Sequence, residues 1–406
     1  MRMKNTILLS TILLIFFVVS LLTNITGPLI PDIIRSFHLS LTMAAFLPFS
    51  FFVAYAVMSI PSGILIERFG EKFVMTCAFI LVFSGSALFC AMPAYKTAIG
   101  SLFLIGLGMA AIQVAINPLL RVSGGEEHYA FNAVLSQFVF GIASFVSPLI
   151  YSHFAAASPL GLVQFIPKEI PWVAVYWIFS AIALGMIFLT LFTRFPSVER
   201  KDDEKIGTLR VHLELLQTPI VWLYFIGVFS YVGLEQGLSN WMSQYLSDIH
   251  GVNPQVEGAD AISRFWGLMT VGCALGLVLL KFVDSKKVLL GFSVAAIAAL
   301  TGALLGSKEA AIFLFPITGF ALSVMWSIIF SLALNSLAEH HGTFSGILCT
   351  GIVGGALIPL LIGSLGDIVG LKTALALLYL PLLYILSMGF WAAPLVQNKT
   401  LRSENA

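Results

Sequence analysis

Charge is what this sequence has least of: 10% of its 406 residues are Asp, Glu, Lys or Arg, against roughly 25% in an ordinary soluble chain. So small a share excludes a water-facing surface able to coat a globule, and the mean hydropathy of +0.98 says the same. The two signs nearly cancel, to a net +1, and no basic tract is long enough to hold nucleic acid, so none is expected as a partner. Cysteine is scarce too. Cys77, Cys90, Cys273 and Cys349 each fall inside an apolar run without metal-ligand spacing, which excludes a disulfide framework and a metal site. Also missing are a phosphate-cradling glycine loop ending in Lys-Ser/Thr and any nucleophile with its base. No enzyme and no resident cofactor is expected.

What fills the chain instead is apolar sequence, 59% of it hydrophobic. Long runs nearly free of charge recur from end to end, each able to cross a hydrocarbon layer of ~30 Å with about 20 helical residues. Lipid offers backbone polar groups no partner, so each run must be a helix or part of a closed barrel. The runs are continuous rather than alternating, which favours helices. Twelve are predicted, near 6–34, 43–66, 73–93, 97–120, 130–155, 171–193, 219–246, 261–283, 287–306, 309–337, 343–367 and 371–394. The basic start and first apolar stretch imitate a secretory signal. The stretch continues through Asn24 and Pro28 without a small-residue cleavage site, and reads as an uncleaved first span.

The one strongly charged break, around Glu199–Lys205, divides the spans six and six. It gives an N-terminal six-helix bundle over 1–193, a cytoplasmic linker over 194–218, and a C-terminal six-helix bundle with a short cytoplasmic tail over 219–406. With both termini cytoplasmic, fifteen of the 21 Lys and Arg fall on the inner side, the bias that sets orientation. The halves carry traces of repetition. Phe131 to Gly141 in span five and Phe344 to Gly354 in span eleven have the same separation, each followed by a proline.

A buried ionisable group in a membrane is costly and hence a functional candidate. Glu235 stands deep in span seven, whereas nearly all other acids lie in loops or at span ends. It reads either as a coupling carboxylate that binds a proton or sodium ion, or as a structural carboxyl tying two helices. Uncharged amides surround it in sequence: Gln113 and Asn117 in span four, Gln236, Asn240 and Gln244 in span seven, each set at four-residue spacing and so on one face. Asn24 in span one and Gln137 in span five join them. Amides donate and accept, as sugar hydroxyls require, and Trp241, Trp266 and Trp326 offer apolar faces for a pyranose ring. Polar groups also glue membrane helices, so each residue has a plain structural alternative. The second loop carries Gly63, Glu67, Arg68, Gly70 and Lys72, a cluster suited to latching one face or simply a charged turn.

That loop resembles the G-x-x-x-(D/E)-R-x-G-x-(K/R) signature of the major facilitator superfamily. Ala115–Pro118, Tyr231–Glu235, Met325–Leu332 and Ile352–Pro359 resemble its fucose–galactose–glucose permease branch. The resemblance covers essentially the whole chain. It implies an all-α membrane protein of twelve helices in two bundles with pseudo-two-fold symmetry, working by alternating access as a multi-pass inner-membrane monomer. It also implies a monosaccharide, hexose or 6-deoxyhexose, as substrate, with proton or sodium symport. One departure matters: the carboxyls used by the proton-coupled fucose permeases in spans one and four align with Gly27 and Gln113 here. Coupling then falls to Glu235, to sodium, or to neither. An efflux carrier on the same fold and a non-transporting sensor or scaffold are the rival readings.

Overall fold

The computed structural model describes residues 2–124, 129–156, 170–195, 209–337 and 341–395. Among these there is no strand, and twelve helices are long and apolar enough to cross a membrane. They are α1 (Leu8–Phe37), α2 (Leu41–Ile66), α3 (Glu71–Ala91), α4 (Tyr95–Ile116), α5 (Leu135–His153) and α6 (Ala174–Phe192). The second half supplies α7 (Pro219–His250), α8 (Pro254–Leu279), α9 (Ser285–Leu305), α10 (Lys308–Leu334), α11 (Thr343–Val369) and α12 (Leu371–Trp391). Each expected span has its helix. Of the 194–218 linker, residues 196–208 lie outside the described residues, and the remainder includes a short helix, Leu209–Leu216.

Two hydrophobic cores form. One gathers Phe51, Phe79, Trp172 and Tyr176 from α1–α6 and their connections; the other gathers Tyr224, Trp241, Phe265 and Phe315 from α7–α12. A few side chains cross between them. Ile30, Ala44 and Ala45 pack into the second core, and Ala259 and Ala356 into the first. Each half also has its own basic tie. Lys72, at the start of α3, donates to the carbonyl of Leu191 near the end of α6 at 2.7 Å. Lys286, at the start of α9, donates to that of Ala392 just past α12 at 2.6 Å. A cation on the last carbonyls of a helix complements its dipole.

Four spans are interrupted. α1 breaks between Arg2–Thr23 and Thr26–Phe37, because Pro28 has no N–H to offer Asn24 and its ring crowds that carbonyl. α10 breaks between Lys308–Leu322 and Met325–Leu334, where the Ser323 hydroxyl turns back to the Phe320 carbonyl at 2.7 Å. α11 passes through a 3-10 turn at Gly351–Val353, and α12 through one at Leu375–Leu378. Interrupted helices expose polar backbone, which membranes tolerate only where protein or a water-filled cavity receives it.

The halves meet chiefly at one end, where α1 and α7 finish and α2 and α8 begin. There Gln255 donates to the Asp32 carboxylate at 3.0 and 3.2 Å, and Arg35 to Ser247 at 3.2 Å. The backbone N–H groups of Leu41 and Thr42 both donate to Asp367 at 2.8 Å. Nearer the middle, Ser263 of α8 donates to the Phe145 carbonyl of α5 at 2.7 Å. Most of these ties between the halves lie at that one end, where the molecule is fastened shut.

Candidate functional site

Glu235 lies close to the midpoint of α7, the longest span, with 16 residues before it and 15 after. Its side chain is half-buried, one helical turn from Ser239, while most of its neighbours on α7 are fully enclosed. Tyr231, one turn back on the same helix, donates its hydroxyl to Glu235 Oε1 at 3.3 Å. Cys273 of α8 stands within electrostatic reach of the same carboxyl and is exposed. Trp326, immediately after the break in α10, sets its ring 5.8 Å from that of Tyr231 and stacks on Phe330 at 5.3 Å. Three helices of the second half therefore converge on one acid, with an accessible aromatic face beside it. Chemically, the set offers one ionisable acceptor, a phenol and a flat apolar surface.

The amides divide into two groups. Gln113 is half-buried, Gln137 is exposed, and neither has a hydrogen-bond partner among the described residues. Their donors and acceptors remain available to a solute. Others are already engaged. Asn24, at the α1 break, donates to Ser144 of α5 at 2.9 Å and to the Ser20 carbonyl at 3.2 Å, inside a knot that also joins Ser20 to Ser144 at 2.7 Å. Asn240 donates to the Gln236 carbonyl at 2.8 Å, and Gln244 to Asp248 at 2.7 Å. Gln236 is buried where α7 meets Gly355 of α11 and Phe52 of α2. In this conformation the α7 ladder is sealed at the closed end. Trp241 is buried and donates to the Pro359 carbonyl at 3.0 Å, and Trp266 is buried as well. The side chain of Asn117 lies outside the described residues.

In the loop after α2, Gly70 adopts φ 81° and separates α2 from α3. Arg68 is exposed, its guanidinium 5.3 Å from the Phe69 ring centroid, and Gly63 is buried. The Glu67 side chain lies outside the described residues. Lys72 is committed to its own half through Leu191.

Sequence reasoning missed Asp32. It is as buried as any acid described, and accepts from the Tyr151 hydroxyl of α5 as well as from Gln255 across the interface. Its sequence signal is weak, because Ile-Pro-Asp near a span end reads as a solvated terminus.

The model of the Major Facilitator Superfamily matches residues 12–359. A glucose/galactose transporter of Brucella abortus is 30% identical over 395 residues, covering 94% of this chain and 93% of its own. The L-fucose-proton symporter of Escherichia coli is 26% identical, over 88% of this chain and 86% of its own. Among solved structures, an inward-facing bacterial homologue of the human lysosomal transporter Spinster superposes with a TM-score of 0.77 at 17% identity, covering 96% of this chain and 97% of its own. Twelve spans in two cores, the loop signature and a match across most of the length lead to one conclusion: the chain belongs to the Major Facilitator Superfamily.

Proposed function

We propose that this protein transports a monosaccharide, a hexose or 6-deoxyhexose, by alternating access, with Glu235 as the site through which a proton or sodium ion drives symport. The observation that carries the reading is the convergence of Glu235, Tyr231 and Trp326 at mid-span, beyond the end where the halves are fastened. An aromatic face and unpaired amides suit a neutral polyhydroxylated ring; one carboxyl suits one exchangeable cation. The glucose/galactose and fucose-proton relatives support the same substrate class.

The Lys and Arg bias supports a reading with both termini in the cytoplasm and the protein in an inner membrane. The fastened end is then the outer one, and the structure is an inward-facing state of a monomeric carrier. Gln113 and Gln137 hold substrate hydroxyls while Trp326 packs against the ring. Asn24, Gln236 and Asn240 contribute after the outer end opens and releases the α7 ladder. Asn117, four residues after Gln113 in the sequence, is a further candidate for a substrate hydroxyl.

The test is uptake of labelled sugars by the protein reconstituted in liposomes, with an imposed proton gradient, an imposed sodium gradient, or none. Saturable uptake of one hexose driven by one of the ions is the expected result. Folded protein that takes up no sugar under any gradient overturns the reading in favour of another polar solute or of export.

A further inference from the structure

The ten residues Gly363-Ser364-Leu365-Gly366-Asp367-Ile368-Val369-Gly370-Leu371-Lys372 reproduce the loop signature at Gly63–Lys72. Glycine stands first and eighth, an acid fifth and lysine tenth in both; the sixth position is Arg68 in one and Ile368 in the other. The backbones agree as well. Gly70 (φ 81°, ψ 162°) and Gly370 (φ 82°, ψ 148°) each end one span and begin the next in the same left-handed conformation, one that glycine alone adopts freely. The two copies sit at opposite ends of the molecule, since one follows an even-numbered span and the other an odd-numbered one.

At the second copy the acid is engaged. Asp367 Oδ1 accepts from Leu41 N–H and Oδ2 from Thr42 N–H, each at 2.8 Å, with the Ser40 and Thr42 hydroxyls also donating to the carboxylate; Ser40 in turn accepts from Met43 N–H at 3.2 Å. The first three N–H groups of α2 have no partner within their own helix. Two of them are therefore satisfied by a carboxylate from the opposite half, at the positive end of the helix dipole. Gly363 makes this approach feasible: a Cβ there would lie 2.6 Å from the Leu41 carbonyl oxygen. Without a side chain at 363, α11 settles directly onto the beginning of α2.

We propose that Asp367 is a gating residue, a latch that holds the outer end closed by capping α2 from across the interface. Opening moves α11 away from α2, and water then replaces the carboxylate at Leu41 and Thr42. The latch acts on the equilibrium between the two end states and touches no substrate. It rests on the alternating-access reading, and its test separates the two.

Cysteines placed at Lys96 and Glu309, exposed positions at the starts of α4 and α10 on the latched end, would carry spin labels. Cys77, Cys90, Cys273 and Cys349 would be serine in that background. Pulsed distance measurements in liposomes then give the ratio of outer-open to outer-closed molecules. Asp367→Asn is expected to raise that ratio on the order of twofold to fivefold, the range for losing an exposed carboxylate at a helix N-terminus. Asp284→Asn removes an acid that caps α9 from within its own half, where Lys286 N–H donates to Oδ1 at 3.0 Å, and is expected to leave the ratio unchanged. An unchanged ratio in folded Asp367→Asn overturns the latch while the transport reading stands. An equal rise in Asp284→Asn also overturns it, because loss of any acidic helix cap would then suffice. A single outer distance in the unaltered protein, with and without each sugar and gradient, overturns both. Should Asp367→Asn not fold, Gly363→Ala, which obstructs the same approach, must raise the ratio for the latch to survive.

Discussion

Gly27 of α1 faces the backbone carbonyl of Ser239 on α7, so near that a Cβ at position 27 would stand closer than 3.0 Å to that oxygen. The two halves touch here main chain to main chain, one turn from Glu235. Any side chain at 27 obstructs closure of the outer end and leaves the open state alone. Gly27→Ala is expected to lower the initial uptake rate on the order of tenfold to a hundredfold, as overpacking a tight contact by one methyl group does. Sugar binding from the outside should persist. Initial rates in proteoliposomes, with equilibrium binding to the same preparation, check this; an unchanged rate rejects the contact as part of the cycle.

Glu235→Gln keeps the shape of the acid and removes its exchangeable charge. Net accumulation against a gradient should vanish, along with any dependence of uptake on the driving ion, while exchange of labelled for unlabelled sugar continues. Counterflow and gradient-driven uptake measured side by side distinguish the two. Accumulation at the level of the unaltered protein would show that Glu235 has no coupling role and leave it the helix-tying carboxyl that was the other reading.

Cys273 is a native reporter of the cavity, being exposed and close to Glu235. With Cys77, Cys90 and Cys349 changed to serine, a membrane-impermeant thiol reagent should modify it from the inner side and slow transport. Saturating substrate should slow the modification severalfold. Labelling rates in inside-out and right-side-out vesicles provide the measurement. Reaction from the outer side alone would place the open end opposite to the orientation proposed.

Gln113→Ala and Asn24→Ala should separate binding from folding. Gln113 has no partner among the described residues, so its loss is expected to weaken substrate affinity by about tenfold, the value of one hydrogen bond to a neutral group. Thermal stability should hold. Asn24 fastens α1 to α5 through Ser144, and its removal is expected to cost on the order of 1 kcal/mol of stability as well. Affinity titrations and thermal unfolding in detergent together test the division. Equal loss of stability in both variants would place Gln113 among the structural amides.

Lys286→Gln removes the tie from α9 to the end of α12, and Lys72→Gln the matching tie from α3 to α6. Each should lower stability by about 0.3–2 kcal/mol, the range for a cation at a helix C-terminus, with substrate affinity unchanged. A shift in affinity without a shift in melting temperature would give these lysines a part in gating instead.

Span number, the division into halves and the depth of Glu235 were legible in the sequence, because each follows from hydropathy and charge along the chain. Gly63–Lys72 was legible as a motif. Its second appearance at Gly363–Lys372 was harder to see, since Ile368 replaces the arginine and Asp367 sits where a span end reads as ordinary. Asp32 was missed for a related reason. Its burial comes from Tyr151 and Gln255, 119 and 223 residues away, and no local pattern announces partners at that distance. The even spacing of Gln236, Asn240 and Gln244 correctly placed them on one face. Spacing carries no information on which amides are consumed by their own helix, and here Asn240 and Gln244 are.

The receiving side of the contact at Asp367 includes two main-chain N–H groups, which every residue but proline possesses, beside the hydroxyls of Ser40 and Thr42. Residue 41, which offers its N–H alone, can therefore drift through almost any substitution without losing its part of the fastening. Across relatives, the outer lock would be recorded as one retained acid and two retained glycines, facing a start of α2 that is free to vary at 41.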